Sequence, residues 1–115
     1  MLNTEQNFDT IFDNINDAVF VHDLDGKILE VNASACSLLG YTREELLDLR
    51  PQDIVAPEYR EGIPDRFEHI QKSGSFLFEV VLRRKDGTGI SAEISSKPIT
   101  INNITCIIST IRDIS

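Results

Sequence analysis

The segment VHDLDGKILEVNASACSLLGYTREELL, from Val21 to Leu47, contains several closely spaced signals of local structure. Short runs of alternating apolar and polar residues lie on either side of Asp23-Leu24-Asp25-Gly26. Asp suits the first position of a turn, and Gly supplies positive φ at the end of it. The pattern therefore predicts a β-hairpin with strands at Ala18 to His22 and Lys27 to Val31.

Two capped helices are predicted directly after this hairpin. Asn32 is a good N-cap for a helix over Ala33–Leu39, and Gly40 suits the left-handed residue that ends such a helix. Thr42 and Glu45 fit a capping box, in which the Glu side chain reaches back to the cap. The second helix is expected to end near residue 49.

The centre of the chain predicts further helical structure. Residues 51–55 fit one helical turn, and Pro57 fits the start of a longer helix. Ile63, Phe67 and Ile70 share one face of that helix, and Gly74 is expected to end it.

The second half of the chain predicts three strands. Residues 76–83 alternate in polarity, as do residues 90–95 in a strand that extends to Pro98. The final strand, Ile104 to Ile111, is rich in β-branched residues. Turns are predicted at Lys85-Asp86-Gly87-Thr88 and at Asn102-Asn103.

The element order predicts an α+β fold with a five-stranded antiparallel sheet and short helices on one face. The last three strands can form a meander, and the first hairpin must join it because two strands alone are marginally stable in water. Helices that cover a curved sheet leave a pocket between the two layers. We expect residues 1–16 to form an N-terminal amphipathic helix and residues 17–115 to form the main domain.

Composition limits the possible functions. The 115 residues suit one domain, and a net charge of −8 disfavours nucleic acid and anionic membranes as partners. No long apolar run or signal peptide is present, so a cytoplasmic location is expected, although the full-length protein could be anchored in a membrane. Cys36 and Cys106 lack metal or redox spacing and are interpreted as reduced packing residues. The sequence shows no nucleophile–base pair of the kind that would indicate an enzyme.

Four segments together resemble a PAS domain: DLDGKILEVN, ASACSLLGYTREEL, FEVVLRRKDGTGISAEIS and the closing IRDIS. The resemblance covers essentially the whole chain. It implies a non-catalytic module that senses a signal, dimerises and passes the signal to a C-terminal effector, such as a histidine kinase, absent from this sequence. By the same resemblance, Arg112 and Asp113 form the junction to that effector, with the Asp113 carboxylate tying the linker to the domain.

The nearly apolar pocket predicted between the helices and the sheet suits a small apolar or amphipathic metabolite. A filled core without a ligand, in a constitutive dimer scaffold, is the alternative reading. The predicted pocket residues are Leu39, Leu46, Ile54, Phe67, Ile70, Phe78, Val80, Ile94 and Ile108.

Coloured cofactors are not favoured. Covalent flavin chemistry in similar domains needs a Cys in the short central helix, which here reads LRPQDIV, and the chain has no Trp to line a flavin pocket. His69 is the candidate haem ligand, but it lies well off the apolar face of its helix. His22 is interpreted as an exposed residue at a strand end, with pH sensing as a minor alternative.

The N-terminal residues predict a homodimer. Their apolar side chains recur at i, i+3, i+4 and i+7 and could cover the outer sheet face of the same chain or of a partner. The predicted interface residues are Phe8, Ile11, Phe12 and Ile15.

Overall fold

The computed structural model of the protein describes residues 10–56, 68, 70 and 72–114. Its sheet has five antiparallel strands in the order β2-β1-β5-β4-β3, so the predicted α+β fold class is confirmed. Three short helices with described bounds lie between β2 and β3. In chain order the elements are β1 (Ala18–Asp23), β2 (Ile28–Val31), α1 (Ala33–Leu39), α2 (Arg43–Leu47), α3 (Pro51–Ile54), β3 (Phe76–Arg83), β4 (Gly89–Ile101) and β5 (Ile104–Asp113).

The predicted caps and turns are present. The Asn32 side chain accepts a hydrogen bond from the Ala35 amide at the start of α1, and Gly40 ends this helix with a φ of 78°. Thr42 and Glu45 form the predicted capping box of α2. These features depend on residues close in sequence, which is why the chain alone predicts them.

The ends of several elements differ from the prediction, by one residue in β1 and β2 and by more in others. α2 ends at Leu47 rather than near residue 49, and β5 continues to Asp113 because this residue pairs with Ala92 of β4. β4 continues through Pro98 to Ile101. Its pairing with β3 stops at Ser96, so the missing N–H of Pro98 can face the open side of the strand without removing a ladder bond.

The helices cover one face of the sheet, here called the inner face. Buried side chains of α1, α2 and α3 pack with inner-face residues of the strands in one apolar cluster. The β3–β4 turn joins the same layer, because the Lys85 amide donates to the Leu39 carbonyl at 2.9 Å and Arg84 Nε donates to the Leu38 carbonyl at 3.2 Å. The C-terminal end of α1 is thus attached to the far hairpin.

Part of the predicted helical structure lies outside the described residues, including the start at Pro57 and the positions of Ile63 and Phe67. Residues 68, 70, 72 and 73 are helical, and Gly74 follows them with a φ of 80°. Its amide donates to the Ile70 carbonyl at 2.9 Å, which supports the predicted helix end. At the N-terminus, residues 10–13 are helical.

Candidate functional site

A cavity of about 70 Å³ lies between the inner face of the sheet and the helical layer. Its floor comes from all five strands, and its cover includes α3 and Ile70. Most of the surrounding side chains are apolar. The lining residues are Phe20, His22, Ile28, Pro51, Ile54, Val55, Ile70, Phe78, Leu82, Ile94, Ser96, Ser109 and Ile111.

Four of the predicted pocket residues line this cavity: Ile54, Ile70, Phe78 and Ile94. Three others are buried in the apolar cluster without lining it, namely Leu39, Leu46 and Val80. Phe67 lies outside the described residues. Whether any ligand contacts these side chains stays a prediction.

The prediction that Ile108 faces the cavity is wrong, because the inward-facing side chains of β5 are displaced from it by one residue. Ser109 and Ile111 line the cavity, and successive side chains of a strand point to opposite faces. Ile108 pairs with Val21, whereas the inner-face Ser109 pairs with Phe20. Apolar residues occupy both faces of β5, so composition alone could not decide between the two registers.

Two serines form a polar contact in the inner face of the sheet. Ser96 of β4 and Ser109 of β5 are direct cross-strand partners, and their hydroxyl oxygens are 2.7 Å apart. Both residues are buried. Neither serine is among the predicted pocket residues, although Ser96 follows Ile94 by two positions and Ser109 precedes Ile111 by two, which places each pair on one face of its strand.

His22 also lines the cavity, so its interpretation as an exposed residue was wrong: the residue is 5% exposed. The reason is its register on β1, where it follows the inner-face residue Phe20 by two positions. Burial lowers the pKa of the His22 imidazole below its ordinary 6.5, and the carbonyl and charge of Asp23 offset this effect only in part. The ring is therefore neutral at pH 7.

The tautomer of His22 follows from its hydrogen bond. Nδ1 lies 2.9 Å from the carbonyl oxygen of Asp23, which can only accept. Nδ1 therefore carries the proton in the neutral ring, and Nε2 is an acceptor. Among the described lining residues His22 is the single titratable group, so this part of the cavity wall has no formal charge at pH 7.

The C-terminal end of β5 lies close to the cavity. Ser109 and Ile111 are wall residues, and Arg112 and Asp113 follow immediately. Arg112 Nη2 forms an exposed salt bridge of 2.8 Å to Glu93 of β4. Past the strand, the Ile114 amide donates to the Ser91 carbonyl at 3.0 Å. The junction role of Arg112 and Asp113 stays a prediction.

The N-terminal side chains differ in burial. Ile11 is 67% exposed and Ile15 is 38% exposed, whereas Phe12 is buried. Phe8 lies outside the described residues. Ile11 and Ile15 thus offer apolar surface, but Phe12 is already covered within one chain.

The described residues limit two other kinds of site. None of the helices they form is long and apolar enough to cross a membrane. Within the same residues, no group of three or more His, Cys, Asp or Glu side chains is arranged to hold a metal ion. Cys36 and Cys106 are free cysteines, and Cys106 is buried.

A protein-family model described as PAS domain matches residues 16–115. The chain therefore belongs to the PAS domain family, as its sequence motifs predicted. It is a PAS sensory domain, and domains of this family are generally non-catalytic.

One curated relative is the methyl sulfide methyltransferase-associated sensor of Methanosarcina acetivorans. It is 35% identical over 113 residues, which cover 97% of this chain and 11% of that protein. The chain thus spans about a tenth of the length of this relative.

Solved structures share the fold. The PAS domain of an HTR-like protein from Haloarcula marismortui is 26% identical with a TM-score of 0.88, over 96% of this chain and 92% of that chain. A PAS domain from Colwellia psychrerythraea is 25% identical with a TM-score of 0.86, over 97% and 98%. A PAS domain from a two-component sensor histidine kinase, at 23% identity and a TM-score of 0.83 over 96% and 99%, supports the fold alone.

Proposed function

We propose that this chain is a sensory and dimerisation module that transmits occupancy of its cavity, or a change in packing around it, to a C-terminal effector domain outside this sequence. The observation that carries the proposal is the course of β5. This strand supplies Ser109 and Ile111 to the cavity wall and reaches Asp113 only two residues later.

β5 is well placed to pass on such a change. It lies between β1 and β4, and Ile111 is the direct partner of Ala18 on one side and of Ile94 on the other. Because a close-packed interior cannot absorb a new group without shifting its neighbours, an occupant that displaces Ile111 also shifts the residues at the end of the strand. Arg112 and Asp113 are the first residues to receive this shift.

The effector is proposed to be a histidine kinase. One relative is named a sensor, which agrees with a module that signals to an effector. Since the chain spans 11% of the relative's length, the rest of such a protein has room for further domains. The module is proposed to act in the cytoplasm, together with that effector.

The purified domain is expected to be colourless. The short central helix α3 and its flanking residues contain no Cys, and the sequence places the possible haem ligand His69 off the predicted apolar face of its helix. An absorption spectrum from 300 to 700 nm tests this expectation. A Soret band or flavin bands at near-stoichiometric intensity would overturn it.

Native mass spectrometry of the purified domain tests the sensory proposal against a ligand-free dimer scaffold. A bound small molecule, together with shifts of the Arg112, Asp113 and Ile114 amide resonances when it is removed, is the expected result. A dimer whose mass is the same before and after gentle denaturation and refolding, with no released molecule, favours the scaffold.

A further inference from the structure

The serine pair is an unusual feature of an otherwise apolar surface. Ser96 is 2% exposed and Ser109 is 8% exposed, while the neighbouring inner-face positions of β4 and β5 hold Ile94 and Ile111. Burial of a hydroxyl is unfavourable unless it is hydrogen-bonded, whereas an Ala or Val at either position would pack without this cost. The pair therefore calls for an explanation beyond packing.

The mutual hydrogen bond leaves hydrogen-bonding capacity. Each serine hydroxyl has one proton to donate and two lone pairs to accept with. The Ser96–Ser109 contact uses one of the two protons and one of the four lone pairs. Among the described residues, no backbone carbonyl or other side chain takes the second proton, and both serines line the cavity.

His22 adds a second polar group on the same wall. It pairs with Ile107, whereas Ser109 pairs with Phe20, so His22 and Ser109 are diagonal neighbours on adjacent strands of one face. Its Nδ1 proton is directed to the Asp23 carbonyl, which makes Nε2 a lone-pair acceptor in the neutral ring. The described part of the wall thus has one spare hydroxyl donor beside a neutral imidazole and carries no formal charge.

The size of the cavity restricts the ligand further. A water molecule needs roughly 10–15 Å³ of such space, so a volume of about 70 Å³ holds about five to seven non-hydrogen atoms. Apart from His22, Ser96 and Ser109, the described lining residues are apolar. A molecule that fits this wall has a branched or compact apolar body and one polar end.

The geometry points to a small neutral molecule as the ligand, with its hydroxyl or carboxamide end at Ser96 and Ser109 and its apolar body against Phe78, Ile94 and Ile111. This inference rests on the proposed sensory function and specifies the chemical class that the cavity accepts. Charged molecules of equal size are expected to bind more weakly, because the described lining residues offer them no counter-charge and burial of an unpaired charge is strongly unfavourable.

Titration of the ¹⁵N-labelled domain with matched small molecules tests the inference. Isobutanol and isobutyramide are the neutral compounds, and isobutyrate and isobutylammonium are their charged counterparts. The expected result is saturable shifts of the Ser96, Ser109 and Ile111 amides with the neutral compounds. Binding of the charged compounds is expected to be at least about tenfold weaker.

Three variants separate the serine pair from general packing. Ser96→Ala and Ser109→Ala are each expected to weaken isobutanol binding by about 2- to 12-fold, the range expected for one hydrogen bond. Ser95→Ala is the matched control, because Ser95 is exposed on the opposite face of β4 one residue away. It should bind isobutanol like the wild type. Amide spectra of all three variants check that the fold is retained.

Each outcome decides a defined point. Equal isobutanol affinity in the wild type and both cavity-facing variants overturns the serine anchor, and isobutyrate binding as tightly as isobutyramide overturns the neutral class. No saturable shift with either neutral compound overturns the inference as a whole. If native mass spectrometry then finds a charged or larger molecule bound, the sensory function survives, whereas an empty cavity in both experiments contradicts the two proposals together.

Discussion

Asn32 connects three parts of the chain through one fully buried side chain. Its Oδ1 accepts from the amides of Val19 in β1 at 2.9 Å and of Ala35 in α1 at 3.0 Å. Its Nδ2 donates to the Asp17 carbonyl at 2.9 Å. The sequence predicted the helix cap, but the bonds to Val19 and Asp17 arise only because the hairpin places these residues beside the cap.

Asn32→Ala is expected to lower the free energy of unfolding by about 2–4 kcal/mol, because two buried amides lose their acceptor and a helix loses its cap. Urea denaturation measures this loss. Asn14→Ala is the control: its amide bonds the Thr10 carbonyl in an exposed position, so its effect should stay within about 0.5 kcal/mol. A loss below about 1 kcal/mol for Asn32→Ala would show that water replaces these bonds.

His22 makes stability depend on pH in a defined direction. Because burial lowers the pKa of the folded residue below 6.5, the unfolded chain binds a proton first as the pH falls. The free energy of unfolding is therefore expected to decrease as the pH falls below about 6.5, until the folded residue also becomes protonated.

Denaturation midpoints of the wild type and His22→Gln between pH 7.5 and 5 isolate this contribution, since all carboxylates are common to both chains. The difference in stability between the wild type and the variant should shift against the wild type as the pH falls. A constant difference over this range would mean that His22 titrates in the folded state as it does in the unfolded state.

At the scale of elements, the end of α1 depends on a left-handed residue. Gly40 has a φ of 78°, and its amide donates to the Cys36 carbonyl at 2.8 Å. A Cβ at this position would be 3.9 Å from Lys85 Cβ, which is ordinary contact. The restriction at Gly40 is therefore conformational rather than steric.

Gly40→Ala is expected to destabilise the domain by about 1–2 kcal/mol, the cost of the left-handed conformation for a residue with a Cβ. Gly40→Asn is the matched variant, and its cost should be clearly smaller because Asn adopts this conformation more readily. Thermal unfolding of both proteins provides the comparison. Equal losses would indicate crowding near Lys85 instead.

At the scale of the whole molecule, the exposed apolar residues near the N-terminus favour self-association. Ile11 is 67% exposed and Ile15 is 38% exposed. These two isoleucines provide a small apolar contact surface. We propose a weak homodimer that uses Ile11, Ile15 and Phe8. Phe12 is expected to support the fold of one chain rather than the interface.

Analytical ultracentrifugation of the wild type, Ile11→Asp and Phe8→Asp tests the dimer. Either charge in the interface should weaken dimerisation by at least about tenfold, since an unpaired charge would be buried. Leu24→Asp is the control, because Leu24 is a partly exposed apolar residue in the β1–β2 turn. A wild type that stays monomeric up to about 1 mM, the range of weak association, would contradict the dimer. Normal dimerisation of Ile11→Asp and Phe8→Asp would move the interface elsewhere.

The sequence by itself determined the local structure and the family of this protein. The β1–β2 turn, the Asn32 cap, the left-handed Gly40 and the Thr42–Glu45 capping box each depend on residues within a few positions of one another. Such contacts form wherever the local sequence allows them. The alternation of apolar and polar residues also predicted the strands, and the order of elements was sufficient to predict an antiparallel sheet.

Only the tertiary structure decided which side chains face the cavity. β5 has apolar residues in both registers, so its inner face was settled by its pairing with β1 and β4, and Ile108 proved to face outward. The burial of His22 and the contact between Ser96 and Ser109 likewise require strands that are distant in sequence to lie side by side. Local pattern cannot report this, because the cost or benefit of a buried polar group depends on the partners that the whole fold brings to it.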